Sequence, residues 1–120
     1  MSDPEPFSCP VAVEEPGRVV VVTPIGRIGP QESEVFRESV DAAYRAGGRR
    51  FVFDLGRLTY VGSTGLRVLA ALASRVKADG VVCVCDPTPN VQSVLDVTKL
   101  AQLLHVYPTR SEALDAARTR

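Results

Sequence analysis

Short, wholly apolar runs alternate along this chain with longer stretches in which apolar residues recur every three or four positions, the periods of buried strands and amphipathic helices. Residues 18–23 are β-branched after Arg18 and too apolar for a half-exposed edge, residues 81–85 are apolar throughout, and residues 51–55 are interrupted only by Asp54. Helical spacing places Phe36, Val40, Ala43 and Tyr44 on one stripe of a helix over 30–46. It also groups Leu66, Leu69, Ala73 and Val76, with Val68 and Leu72, on a helix that follows residue 65. A third helix starts at Pro89 or Asn90, carries Val91, Val94, Leu95 and Val97 on its core side, and continues through Leu100, Leu103 and Leu104 past a break near Thr98-Lys99. Ser111 is expected to cap a last helix rich in good formers, Glu112 to Ala117.

Turn residues divide these segments. Glu15-Pro16-Gly17 separates a first strand, Val11–Glu14, from the run over 18–23, so the two read as a hairpin. Residues 25–28 are expected to extend that second strand as far as Gly29-Pro30, where Gly29 caps the next helix and Pro30 takes its first position. Gly47-Gly48 and Ala78-Asp79-Gly80 stop helices, and residues 105–107 form a last short strand. Residues 1–10 form a flexible, disordered or extended lead, because Pro4, Pro6 and Pro10 forbid helix there. Strands alternating with helices predict an α/β fold in one domain over 11–120: a mixed, mostly parallel sheet with an N-terminal hairpin, packed against about four helices.

Everything turns on residues 51–76, where strand, loop and helix follow without a gap. Leu58, Tyr60 and Val61 keep the connection apolar, so it should lie on the core as a loop, and Gly62 allows a sharp entry to the helix. Ser63 or Thr64 then reads as the N-cap, a role worth roughly 1 kcal/mol. Two adjacent hydroxyls exceed what a cap needs, and glycines clear the space on both sides. Gly65 in a first turn costs about 0.5–1 kcal/mol against alanine, which close approach by another molecule would explain. A phosphate on Ser63 would be tolerated at the positive end of the helix. The apolar arc of this helix exceeds the roughly 100° of a one-sided stripe. The surplus lies either under neighbouring helices or in a docking patch around Ser63.

With 120 residues, 45% hydrophobic, the chain can bury one core. Fourteen basic and fourteen acidic residues leave no net charge, and so no electrostatic reason to expect nucleic acid or an anionic membrane. No spanning tract or apolar leader appears, which points to the cytoplasm, and three cysteines without framework spacing suit a reducing compartment. Cys83 and Cys85 should share one strand face as inert thiols; with only His105 and distant Cys9, they supply no metal site. No phosphate-binding loop or catalytic histidine context is present, so neither enzyme chemistry nor a cofactor is expected. Outside the core, Glu34, Arg37, Glu38, Asp41 and Arg45 read as a solvated face with an Asp41–Arg45 pair.

The run Phe51-Val52-Phe53-Asp54-Leu55, then Leu58-Thr59-Tyr60-Val61, then Ser63-Thr64-Gly65-Leu66 with Val68-Leu69, resembles the signature of the STAS domain of bacterial anti-sigma factor antagonists. Residues 94–100 and 106–114 resemble that family's later segments, so the likeness covers nearly everything after Val11. The resemblance implies a STAS-like fold, phosphorylation of Ser63 by an anti-sigma factor serine kinase, reversal by a serine phosphatase, and partner contact through Gly62, Ser63, Thr64, Gly65, Leu66 and Arg67. It also implies release of a sigma factor when the unphosphorylated protein binds the kinase. Gly29 and Gly62 stand where the family usually carries acids, which grounds a second reading, a STAS-fold scaffold without efficient phosphorylation. A small hydrolase or nucleotide-binding enzyme is the third, from another class.

Overall fold

The computed structural model describes residues 6–119, and Met1–Glu5 of the expected lead fall outside them. Seven strands and five helices follow in order: β1 (Val11–Glu14), β2 (Val19–Val22), β3 (Gly26–Ile28), α1 (Pro30–Arg45), β4 (Arg50–Asp54), β5 (Leu58–Val61), α2 (Ser63–Val76), β6 (Val81–Cys85), α3 (Pro89–Val97), α4 (Leu100–Leu104), β7 (Val106–Tyr107) and α5 (Arg110–Thr119). The main sheet has the order β1-β2-β4-β6-β7; β1 and β2 form the antiparallel hairpin and the other pairings are parallel. Ser8 exchanges backbone hydrogen bonds with Ile25, and Phe7 and Cys9 pack against the core, so Pro6 to Pro10 run along the body of the domain.

Period-2 alternation sorts the apolar strands into two layers. Val20, Val22, Phe51, Phe53, Val82 and Val84 face one way, into a core built with Phe36, Val40, Leu69, Leu72, Leu95 and Leu104 from α1 to α4. Val19, Val21, Val52, Val81, Cys83 and Cys85 face the other way, where Ala113 and Ala117 of α5 are buried against them and Leu114, Ala116 and Tyr107 pack alongside. Alanines at this contact let a single helix lie close on a β-branched surface. The third expected helix splits into α3 and α4 because Lys99 adopts a left-handed conformation, φ 62°. That split gives five helices where about four were expected.

Two expectations about the strands are corrected. Residues 25–28 do not extend β2: Pro24 has no N–H for the ladder, and Gly26 turns the chain at φ 102°. Nor is the stretch after Arg57 a loop. Leu58–Val61 is a strand, and it pairs in parallel with Gly26–Ile28 to form a separate two-stranded sheet. Ile28, Leu58 and Val61 anchor this small sheet in the larger core, and its far edge carries Arg27, Thr59 and Tyr60 to the surface. At the C-terminal end, Thr109 rather than Ser111 supplies the cap, its hydroxyl accepting from the Glu112 N–H at 3.2 Å.

Candidate functional site at the start of helix α2

Helix α2 begins one residue earlier than the hydroxyls suggested. Gly62 is its N-cap, extended at φ −89°, ψ 179°; its carbonyl accepts from the Leu66 N–H at 3.1 Å and its own N–H donates to Ile28 O at 2.9 Å. Ser63 and Thr64 are therefore the first two helical residues, one and two places past the position from which a side chain caps the free N–H groups. Neither hydroxyl hydrogen-bonds to any described residue; Ser63 is exposed and Thr64 half-buried. The expectation that one of them caps the helix is thus corrected, and a Ser63 hydroxyl unused by the fold is left on the surface.

Gly65 is corrected as well. A Cβ there would lie 2.8 Å from Cγ2 of Ile28 and 2.8 Å from Cγ2 of Val61, so the close approach is made by the small sheet and not by another molecule. Gly65 and Leu66 are buried, whereas Ser63 and Arg67 are exposed and Gly62 is half-buried. The small sheet also brings up two residues that the sequence alone did not single out. Its register sets Arg27 beside Tyr60, with the guanidinium 4.5 Å from the ring centroid. The Tyr60 hydroxyl would be 3.2 Å from a Cβ on Gly62, so this pair borders the Ser63 loop. No local pattern could have shown it, since residues 27 and 60 meet only through the β3–β5 pairing.

From Thr64 a groove of about 460 Å³ runs between α1 and α2. Val40 and Leu72 form its base, with Val68 and Ala71 above them, so part of the apolar surplus of α2 lies open here and part is covered by neighbours. The walls are charged. Arg37 pairs with Glu34 at 2.6 Å and with Asp41 at 3.4 Å, holding the Glu34 carboxyl below its ordinary range. Asp41 also receives Arg75 at 2.9 Å, in place of the expected Arg45, because α2 packs alongside α1 and offers a cation across the groove. Arg75 stacks on Tyr44 at 3.9 Å, with Arg49 on the same ring at 3.9 Å.

The remaining chemical groups are occupied elsewhere. Cys83 and Cys85 share the α5 side of the sheet, and burial pushes the Cys85 thiol from an ordinary 9.0 to about 12, aided by Asp54. Cys9 rises to about 11 through burial, against a hydrogen bond with Ser39 that lowers it. His105 lies in the left-handed turn between α4 and β7. Among the described residues no group of three or more His, Cys, Asp or Glu side chains is placed to hold a metal ion, and no helix is long and apolar enough to cross a membrane.

The sequence profile of the STAS domain matches residues 10–113. The chain belongs to the STAS domain family. Over 95 residues it is 30% identical to BtrV of Bordetella bronchiseptica, a protein named as an anti-sigma factor antagonist, covering 78% of this chain and 82% of that one. The crystal structure of an anti-sigma factor antagonist from Mycobacterium paratuberculosis superposes with a TM-score of 0.82 at 27% identity, over 92% of this chain and 95% of the other. A likeness of fold alone extends to the Bacillus cell fate determinant SpoIIAA in its phosphorylated form, TM-score 0.69 at 19% identity, over 94% of this chain and 100% of that one.

Proposed function

We propose that this STAS domain is an anti-sigma factor antagonist: unphosphorylated, it binds an anti-sigma factor serine kinase and so frees a sigma factor, and phosphate on Ser63 ends that binding. The observation that carries the reading is the Ser63 hydroxyl, exposed on the first turn of α2 and engaged by no described residue. In the transfer, the Ser63 oxygen takes the γ-phosphoryl group of ATP, ADP leaves, and the hydroxyl proton is released to solvent. About two negative charges then sit at the positive end of a 14-residue helix, which tolerates them, while a desolvated docking surface does not. The names of the relatives support the class. Since Gly65 and Leu66 face inward, the contact surface on this reading comprises Gly62, Ser63, Thr64 and Arg67.

A second reading is favoured by Gly29 and Gly62, which stand where the family usually carries acids. In the folded chain they lie beside one another, Gly62 bonding to the carbonyl of Ile28, so a single corner of the surface has lost both charges. On that reading the domain is a scaffold that binds without being efficiently phosphorylated. Pull-down with wild-type, Ser63→Ala and Ser63→Glu baits separates the two. Retention of an ATP-binding anti-sigma kinase by wild type and alanine but not glutamate, with phosphate found on Ser63 of recovered wild type, supports the switch. Equal retention by all three, without phosphate, supports the scaffold.

A further inference from the structure

Five charged side chains line the α1–α2 groove, and four of them are engaged: Arg37 with Glu34 and Asp41, Arg75 with Asp41. Arg67 makes no hydrogen bond or ion pair with any described residue. It sits at the Ser63 end of the groove, beside the apolar strip of Val68, Ala71 and Leu72. We propose that the groove seats a partner segment carrying a carboxylate next to an aliphatic side chain, with the carboxylate paired to Arg67 and the aliphatic group on Val68 and Ala71. Charge complementarity selects this occupant. The acids of the groove are already neutralised by arginines, so a basic segment finds no open counter-ion, whereas an acidic one finds Arg67.

The arrangement gives the Ser63 switch a second component, which rests on the function proposed above. Ser63 and Arg67 stand four residues apart on one helix, the spacing at which side chains meet. Phosphate on Ser63 therefore competes with the partner's carboxylate for Arg67, and the guanidinium fork favours the doubly charged group. Docking is lost through capture of the anchoring cation as well as through repulsion.

The test uses the full chain, labelled with nitrogen-15, and two amidated peptide probes: Leu-Glu-Glu-Leu-Leu-Glu-Glu-Leu and its counterpart with every glutamate replaced by lysine. The acidic peptide is expected to shift the amides of Arg67, Val68 and Ala71, and the basic one to leave them in place. Binding should weaken about tenfold in Arg67→Gln and in protein carrying phosphoserine installed at position 63 during synthesis, and recover partly in Arg67→Lys. Ala71→Trp, on an exposed helical position, should block the groove with Arg67 intact. Absence of a shift, equal shifts from both peptides, or an undiminished response in Arg67→Gln overturns the proposal. Because no kinase takes part, these outcomes are independent of whether Ser63 is a phosphate acceptor in the cell, which the pull-down decides.

Discussion

Helices α1 and α2 begin alike and use their first turns for opposite ends. Each starts from an extended glycine N-cap, Gly29 at φ −92°, ψ −169° and Gly62 at φ −89°, ψ 179°. At α1 the side chains of Glu32 and Ser33 are spent on the helix itself. Pro30 has no N–H to satisfy, the Glu32 carboxylate accepts from the Gly29 N–H at 3.0 Å, and the Ser33 hydroxyl donates to Pro30 O at 2.8 Å. At α2 the Gly62 N–H is taken by Ile28 O of the small sheet, no acid lies in the first turn, and the two hydroxyls bond to no described residue. Where the sheet supplies the anchor, side chains are released from structural duty, and that is the condition for a surface serine to change its chemistry without unfolding the helix.

The comparison breaks most visibly at the third helical residue, glutamate in one helix and glycine in the other. Gly65→Ala should lower stability by about 1–3 kcal/mol, since the new methyl meets Ile28 and Val61, even though alanine is the better helix former. Urea denaturation measures it, and a stabilised variant would show that the small sheet does not dictate the glycine. At α1, Glu32→Ala removes the carboxylate from the Gly29 N–H and should cost about 1 kcal/mol, read from the denaturation midpoint. Smaller, and of opposite sign, Ser63→Asp should stabilise by about 0.3–1 kcal/mol, because it adds a negative charge to a first turn that has none. Smallest of all, Ser63→Ala and Thr64→Ala should each leave the midpoint within about 0.5 kcal/mol of wild type. A loss near 1 kcal/mol in either would restore that hydroxyl to a capping role.

Much of this contrast was legible in the chain and one decisive part was not. The runs at 19–22, 51–53 and 81–85 marked the buried strands of the main sheet, because buried parallel strands are apolar on both faces. The 3.6-residue period located α1 and α2, and Gly47-Gly48 their separation, Gly47 turning at φ 102°. Residues 58–61 read as an apolar loop lying on the core, through Leu58, Tyr60 and Val61; the fold buries only Leu58 and Val61 of them, a spacing of three that matches no strand period. Their partner, residues 26–28, lies about thirty residues upstream, and such pairing leaves no local mark. That one omission accounts for the misplaced cap at Ser63 or Thr64, the misread purpose of Gly65 and the overlooked Arg27–Tyr60 pair.

By itself the sequence determined which segments are strands and helices in the main body, that the sheet is largely parallel, and that a glycine-flanked pair of hydroxyls opens the central helix. These follow from local periodicity and local backbone preference. Tertiary structure decided that both hydroxyls are spared from capping, which glycine serves packing, and where an arginine with no ion-pair partner among the described residues meets an apolar groove. Each depends on which distant residue fills a given space or accepts a given N–H, and contacts across the fold settle that where no neighbour along the chain can.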